Sequence, residues 1–321
     1  MQTIRVDGCS ICQLKCVQCP VTQMGYTNTI GNGYLHKEDF YYLFKVYPKA
    51  KHIEFDNFGE LFLNKDLSDI MIYAYNHNIM LSCPVGVNLN NVQESVLETM
   101  VKTKFNYLSV SIDGSSQETY EKYRVGGKFN EVIKNIKLIN KYKQKYNTIY
   151  PKLQWQFIVF GHNEHEIPSA KQLATELGMQ FYPKMNWNDD YSPIKNIDFV
   201  KQETKWEITT RKDYQQKYGA NYAKAACYSL WNDPPRLSWD LTTTGCCWNI
   251  WSRFDHYNLN YAKLMLLGKI PIRANHPCIE CNIYQDMIKT NQFLNIKEIC
   301  KNKILDYILT FIKYGKWRAN L

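Results

Sequence analysis

Three cysteines near the beginning of the chain follow the spacing Cys12-x3-Cys16-x2-Cys19. Three thiolates at this spacing can each bind one iron of a [4Fe–4S] cluster, which leaves the fourth iron without a protein ligand. A small molecule can bind and be reduced at that open iron. The spacing therefore predicts a cluster that takes part in chemistry rather than one that only supports the fold.

A fourth cysteine leaves a second interpretation open. Cys9 lies three residues before Cys12, so the segment also contains two Cys-x2-Cys pairs, which is the usual spacing of a four-cysteine zinc site. The protein would then be a non-catalytic zinc-binding or nucleic-acid-binding protein. The sequence contains no interleaved basic and aromatic patch on a recognisable nucleic-acid module, so we expect no nucleic-acid partner.

Size and composition describe a globular protein with room for one large and one small domain. The chain has 321 residues, of which 45% are hydrophobic, and its apolar stretches fall short of the ~18 residues that span a bilayer. Eleven cysteines without a signal peptide favour a reducing, cytoplasmic location. The net charge of +9 favours an anionic small molecule as substrate, although a solvated lysine-rich surface is the simpler explanation.

Residues 1 to about 185 alternate short apolar runs with amphipathic stretches, which is the pattern of repeated βα units. The predicted strands are 3–7, 52–56, 79–83, 106–113, 153–160 and 179–184. The predicted helices are 36–47, 66–77, 91–102, 116–144 and 164–177, with capping signals at Ser115-x-x-Glu118 and Asn163-x-x-Glu166. The expected fold is an α/β partial (βα)6 TIM-like barrel with its active site at the carboxyl ends of the strands.

The strand–helix pattern ends near residue 190, and this defines the predicted domains. Residues 1–190 form the barrel, 191–292 a linker and a small C-terminal cysteine-rich domain, and 293–321 an amphipathic helix packed on the barrel. Residues 186–226 are polar and aromatic without a clear period, and we interpret them as a linker or cover.

The cysteine triplet and the strand pattern together resemble the radical S-adenosylmethionine (SAM) superfamily. The resemblance implies that the amino and carboxylate groups of SAM chelate the open iron of a [4Fe–4S] cluster. One electron then cleaves SAM to a 5′-deoxyadenosyl radical, which abstracts hydrogen from a substrate C–H bond. A low-potential reductant of the flavodoxin or ferredoxin type is the implied partner.

Two further segments carry the resemblance and imply roles for four residues. Gly59-Glu60 follows the second predicted strand and resembles the end of the Gly-Gly-Glu-type motif that holds the SAM amino group. Ser111 and Arg124 match the family's Ser-x-Asp-Gly…Arg segment, beside the SAM ribose and carboxylate. These residue types suit their partners, since a carboxylate pairs with an ammonium and a guanidinium pairs with a carboxylate.

The chain departs from the family pattern at two positions. Gln18 precedes Cys19, where relatives usually have an aromatic or large apolar residue next to the adenine. The Gln18 side chain can pair with the edge of the base but cannot stack on it as an aromatic ring does. Gly86 stands where relatives often have Thr-Asn-Gly after the third strand.

A second cysteine set resembles the SPASM/twitch extensions of this superfamily, which hold auxiliary iron–sulfur clusters. Four cysteines suffice for one auxiliary [4Fe–4S] cluster, and we assign Cys227, Cys247, Cys278 and Cys281 as its ligands. Cys246 is the alternative to its neighbour Cys247. A zinc ribbon built from the same four thiolates is the competing interpretation.

The remaining cysteines and the substrate are less constrained. We interpret Cys9, Cys83, Cys246 and Cys300 as small buried residues, with a second hypothesis that Cys83 faces the barrel mouth as a hydrogen-atom donor. The substrate is expected to be either a small carbohydrate-like molecule, for a net oxidation, or a peptide. The first predicted strand begins at residue 3, without a preceding leader-binding domain, which weakly disfavours a peptide substrate.

Overall fold

Six strands and ten helices form the part of the chain that the structure, a computed structural model, describes, namely residues 2–23, 25–55, 58–218 and 236–242. The strands are β1 (Gln2–Val6), β2 (Ala50–Phe55), β3 (Met80–Val87), β4 (Tyr107–Ser111), β5 (Lys152–Val159) and β6 (Gln180–Met185). The helices are α1 (Pro20–Gln23), α2 (Tyr26–Ile30), α3 (Lys37–Val46), α4 (Leu67–Asn76), α5 (Glu94–Lys102), α6 (Gln117–Tyr123), α7 (Phe129–Lys145), α8 (Ile167–Glu176), α9 (Ile197–Thr204) and α10 (Arg211–Tyr218).

The strands form one parallel sheet in the order of the sequence, from β1 to β6. Within the described residues β1 and β6 do not pair, so the sheet stays open. Helices connect successive strands, as parallel pairing requires. The fold is therefore the expected α/β partial barrel, and the carboxyl ends of all six strands meet at one edge.

The two faces of the sheet differ in chemistry. Residues such as Ile53, Leu108 and Trp155 alternate along the strands and pack with helix residues in one apolar core. The opposite face carries buried hydroxyl and amide groups, among them Ser109 and Gln154, whose side chains hydrogen-bond over 3.2 Å. Strands buried on both faces suit a parallel sheet, and here the face away from the helices is polar.

A short segment beyond the barrel lies along the free edge of β1. Leu237 forms a parallel bridge with Val6, donates to the Arg5 carbonyl and accepts from the Asp7 N–H, both over 2.9 Å. Trp239 packs on Gly33, where an added Cβ would lie 2.5 Å from the indole ring. This contact covers the edge of β1 just before the cysteine loop, and covering protects an otherwise unpaired strand.

The predicted barrel elements are confirmed, whereas the second hypothesis for Cys83 is wrong. All six strands and the five helical regions are present, with 116–144 divided into α6 and α7. The segment interpreted as a linker or cover contains α9 and α10. Cys83 is fully buried in the apolar core and does not face the barrel mouth. In the described residues no helix has the length and apolar character needed to cross a bilayer.

The N-terminus of α6 is held differently from the predicted capping box. Ser116, not Ser115, is the N-cap, and its hydroxyl accepts from the Thr119 N–H. Glu166 accepts from the Ser115 N–H over 2.6 Å, from the Ser116 hydroxyl over 2.7 Å and from the Thr119 hydroxyl. Asn163 bonds to the β4 and β5 ends instead of capping. One buried carboxylate therefore organises this turn.

Replacing that carboxylate should destabilise the protein. In Glu166→Gln one carboxylate oxygen becomes an NH₂ group, which then faces the donors of Ser115, Ser116 and Thr119. We therefore expect a loss of about 1.5–3 kcal/mol in the free energy of unfolding. The matched control is Glu118→Gln, whose side chain is 82% exposed, with an expected change below about 0.5 kcal/mol. Denaturant titration measures both, and equal losses would contradict the assignment.

The effect should also depend on pH. Burial alone would raise the pKa of Glu166, but the bonds from Thr119, Ser115 and Ser116 lower it below its ordinary value. The contribution of the carboxylate is therefore present above the ordinary glutamate pKa and is lost as the pH falls through the lowered value. The stability difference between wild type and Glu166→Gln should shrink over that acidic range.

Candidate active site

The loop that carries the cysteine triplet is held by backbone bonds to the segment after α6. The Lys15 N–H donates to the Val125 carbonyl over 2.9 Å, and the Val17 N–H donates to the Tyr123 carbonyl over 3.2 Å. The Cys19 N–H then donates to the Cys16 carbonyl, which closes a turn before α1 begins. The loop lies at the carboxyl edge of the sheet, as the sequence predicts.

The three cysteines share one environment. Cys16 is buried and belongs to an apolar cluster with Tyr123 and Phe160, against which Cys12 and Cys19 pack while partly exposed. A shared environment in which two of the three cysteines are partly exposed fits a cluster that also binds a small molecule.

Cys9 has different neighbours from the triplet. Its sulfur accepts from the Ile11 N–H over 3.4 Å, and its residue is fully buried. Burial raises the pKa of Cys9 to about 11, and the charges acting on it come from Glu60 and Asp7. The structure thus groups three cysteines together and places the fourth against the backbone of its own loop.

Burial makes two thiols of the triplet, those of Cys12 and Cys16, hard to ionise without a cation. Burial raises the pKa of Cys12 to about 12, and the charges of Glu60, Cys16 and Cys19 act in the same direction. Burial likewise raises the pKa of Cys16, against the opposing effect of Arg124. Iron would supply the missing positive charge, since metal binding displaces thiol protons.

An iron–sulfur cluster needs its protein ligands in a different arrangement from the ligands of a single metal ion. Across residues 2–23, 25–55, 58–218 and 236–242, no three His, Cys, Asp or Glu side chains converge as ligands of one metal ion. Thiolates that each bind a different iron do not have to converge in this way. The shared packing environment and the thiol chemistry of the triplet therefore fit an iron–sulfur cluster.

Glu60 is a buried carboxylate beside the cysteine loop. It is 1% exposed, and its two oxygens accept from the Asn88 N–H over 2.7 Å and the Phe62 N–H over 3.3 Å. Burial raises the pKa of Glu60 to about 7, against the lowering effect of these bonds and of Arg124. A ligand ammonium would stabilise the ionised carboxylate at this position.

Gly59 lets two loops approach each other. A Cβ at this position would lie 2.4 Å from the Cys9 carbonyl oxygen and 2.7 Å from the Ile11 carbonyl oxygen. The next residue continues the contact, because the Glu60 N–H donates to that Ile11 carbonyl over 2.8 Å. In this structure the absence of a side chain at Gly59 therefore serves loop packing.

Arg124 links the cysteine loop to the end of β4. Its Nε donates to Asp113 over 2.5 Å, and one terminal nitrogen lies 3.7 Å from the Cys16 sulfur. Burial alone would lower the pKa of Arg124, but the charges of Asp113 and Cys16 raise this pKa well above its ordinary value. Arg124 is therefore a fixed cation, and Asp113 occupies part of the fork that the resemblance assigns to the SAM carboxylate.

Ser111 ends β4 on the polar face of the sheet. Its hydroxyl accepts from the Gln156 side chain over 3.3 Å and is nearly buried. Gly86 lies opposite, at φ +118°, and a Cβ there would stand 2.2 Å from the Ser111 hydroxyl. Gly86 lies within β3, which ends at Val87 and not at the predicted residue 83.

Gln18 and Asn88 are buried amides that lie in or beside the cysteine loop. Gln18 is 6% exposed, and neither its oxygen nor its nitrogen has a hydrogen-bond partner among the described residues. An unpaired buried amide is costly and commonly marks a place where a ligand binds. Asn88 was missed by the sequence analysis, and its nitrogen lies 3.7 Å from the Cys12 sulfur.

The second cysteine set falls outside this description. Cys227, Cys246, Cys247, Cys278 and Cys281 all lie outside the described residues, as do Cys300 and the helix predicted over 293–321. Their assignment to an auxiliary cluster stays a prediction.

Comparison with known proteins identifies the family. The model of the radical SAM superfamily matches residues 8–170, which include the cysteine triplet, Glu60 and Arg124. The chain therefore belongs to the radical SAM superfamily. Membership implies an enzyme that uses a [4Fe–4S] cluster and SAM.

Several solved structures are similar to the chain at low identity. SuiB of Streptococcus suis bound to S-adenosylmethionine has 15% identity and a TM-score of 0.48, over 67% of this chain and 48% of SuiB. Native anSMEcpe with bound AdoMet has 18% identity and a TM-score of 0.46, over 84% and 68%. Methylornithine synthase (PylB) has 13% identity and a TM-score of 0.44, over 67% and 60%. The chain spans about half the length of SuiB, and no curated protein matches its sequence.

The loop packing at Gly59 can be tested directly. In Gly59→Ala the new methyl group meets backbone atoms of Cys9 and Ile11, so the cysteine loop must move, at a cost of about 1–3 kcal/mol. We expect a lower free energy of unfolding and less iron retained after anaerobic reconstitution. The matched control is Gly126→Ala, where a Cβ meets nothing within 4 Å and only the positive φ is unfavourable. Equal iron in both variants would contradict the packing role.

Proposed function

We propose that Cys12, Cys16 and Cys19 ligate the [4Fe–4S] cluster of this enzyme and that the open iron binds SAM. The observation that carries the proposal is the juxtaposition of the triplet, the buried Glu60 and the fixed cation Arg124 at one edge of the sheet. When bound, the cluster and SAM supply the electron and the 5′-deoxyadenosyl radical that removes hydrogen from a substrate C–H bond.

The protein side chains bind and orient SAM in this proposal. Glu60 accepts from the SAM ammonium, because a buried carboxylate with a raised pKa gains most from a cation. The free N–H groups of Arg124 donate to the SAM carboxylate, while Asp113 holds the guanidinium in place. Ser111 bonds to the ribose, and Gly59 keeps the loop that carries Glu60 against the cysteine loop.

Gln18 is proposed to bind the adenine. Its amide presents one acceptor and one donor side, and the edge of adenine offers the complementary pair. The buried and unpartnered state of this amide supports the proposal. Hydrogen bonding would then replace the stacking that an aromatic residue provides in relatives.

We further propose a small, polar, carbohydrate-like substrate that undergoes net oxidation. The polar face of the sheet supports this, since Ser109, Ser111, Gln154 and Gln156 present hydroxyl and amide groups there. Deuterium transfer from labelled candidates into 5′-deoxyadenosine tests the substrate class. Transfer from cyclitols or sugars is the expected result, and transfer from peptides alone would contradict it.

A flavodoxin- or ferredoxin-type protein is the proposed electron donor, and an auxiliary [4Fe–4S] cluster at Cys227, Cys247, Cys278 and Cys281 is the proposed acceptor. Held by these four cysteines, such a cluster would supply an acceptor for the second electron of a net oxidation, with a proton released from the substrate. Metal analysis after anaerobic purification should then find about eight irons per chain and no zinc.

Loss of one triplet cysteine should abolish SAM cleavage. In Cys16→Ala one iron loses its thiolate, so we expect no 5′-deoxyadenosine from SAM and dithionite, measured by chromatography. Cys83→Ala is the matched control, because Cys83 is equally buried but lies in the apolar core. Cleavage by Cys16→Ala would contradict the assignment. Cys9→Ala should retain cleavage, and loss of metal from it would favour the four-cysteine zinc site.

The auxiliary cluster has its own test. Cys278→Ala should lower the iron content by about four per chain while reductive cleavage of SAM continues. The control is Cys300→Ala, since Cys300 is not an assigned ligand. Iron content unchanged in Cys278→Ala would remove the auxiliary cluster from the proposal.

A further inference from the structure

Asn88 is a buried amide whose orientation is fixed by its neighbours. It directly follows β3 and is 5% exposed. Its Oδ1 accepts from the Asn90 N–H over 2.8 Å and from the Gln13 side-chain nitrogen over 3.0 Å. Because both partners are donors, the oxygen of the amide has to lie on their side. The nitrogen is consequently directed the other way.

The nitrogen of Asn88 is directed towards the cysteine loop. Nδ2 lies 3.7 Å from the Cys12 sulfur and 3.5 Å from Oε1 of Gln13. The backbone N–H of Asn88 donates to Glu60 over 2.7 Å. One residue therefore contacts both a triplet thiol and the buried carboxylate next to it.

We propose that Asn88 is a positioning residue that donates a hydrogen bond to the Cys12 thiolate of the bound cluster and thereby raises its reduction potential. The inference rests on the proposed function, because it needs the cluster at the triplet. Reduction adds negative charge to the cluster and its thiolates, and a hydrogen bond to sulfur stabilises that charge. The same residue holds Glu60 through its backbone N–H, independently of its side chain.

Arg124 provides a comparison within the same site. It approaches the Cys16 sulfur to 3.7 Å with a full positive charge, but Asp113 neutralises much of that charge. The Asn88 side chain is neutral and, besides Cys12, bonds only to the uncharged residues Gln13 and Asn90. The bond to the Glu60 carboxylate comes from the backbone N–H and is kept in any side-chain variant. Asn88 therefore contributes to the reduction potential through one directed N–H group of its side chain, and replacing the Nδ2 atom by oxygen removes that group.

Asn88→Asp makes that change. The acceptor towards Asn90 and Gln13 is retained, while the donor becomes a carboxylate oxygen beside the Cys12 thiolate. The matched control is Asn90→Asp on the same turn, since Asn90 is 3% exposed and its nitrogen donates to the Tyr120 hydroxyl over 3.1 Å. Both variants place one new carboxylate in a buried turn, and only one of them faces a cysteine.

The readout is a redox titration of the triplet cluster, followed by electron paramagnetic resonance, in protein whose iron content is measured first. At a potential equal to the wild-type midpoint, we expect the reduced-to-oxidised ratio in Asn88→Asp to fall about tenfold or more, where tenfold is 59 mV for one electron. Asn90→Asp should keep the wild-type midpoint. Asn88→Ser, which is neutral and too short to reach Cys12, should show a smaller shift in the same direction.

The outcomes separate this inference from the proposed function. If Asn88→Asp loses iron and Asn90→Asp does not, the result supports the contact with Cys12, because the new negative charge beside the thiolate expels the cluster. The midpoint potential is then measured in Asn88→Ser. Unchanged midpoints in both Asn88 variants, or equal shifts in Asn88→Asp and Asn90→Asp, overturn the inference while wild-type SAM cleavage continues. Absence of a triplet cluster from wild type would instead overturn the proposed function.

Discussion

The buried ion pair between Asp113 and Arg124 connects the central strands of the sheet to the cysteine loop. Asp113 is fully buried at the end of β4 and accepts from the Ile158 N–H over 2.6 Å and from Arg124 over 2.5 Å. A buried carboxylate needs such partners, since an unpaired buried charge is strongly destabilising. The pair therefore fixes Arg124 between β4, β5 and the cysteine loop, where its other nitrogen approaches Cys16.

The partial barrel could be predicted from local sequence patterns because its strands and helices have a strong hydrophobic periodicity. Strands buried on both faces give apolar runs, and helices such as α5 and α7 have a clear apolar stripe. The helix α10 lacks this signal, because it is a run of polar residues and tyrosines. The helix α9 is short, and Val200 is its only buried residue among those described. The cap of α6 was misplaced by one residue because Glu166, which decides it, lies 50 positions away from Ser116.

The site was predictable where its residues are neighbours in sequence and not where they meet through the fold. The triplet is a local spacing, and the structure brings its cysteines together. Asn88 contacts Cys12 across 76 positions, so only the register and length of β3 place it there. The predicted third strand ended at residue 83, whereas β3 continues to Val87. The turn after β3 includes Leu89 at φ +54°, a conformation that favours glycine. Because a buried leucine stands at this position, the sequence gives no sign of the turn.

The charge balance of the candidate site explains why its thiols, its carboxylates and Arg124 depend on one another. The site gathers three thiols, Glu60 and Asp113 around one fixed cation, Arg124. Burial keeps the pKa values of Cys12 and Glu60 high, since too little positive charge is present to stabilise all the anions. Iron and the ammonium group of SAM both supply cations. In the proposed function each would make ionisation of the surrounding groups easier, so binding of the cluster and of SAM would be coupled to the release of protons from these buried residues.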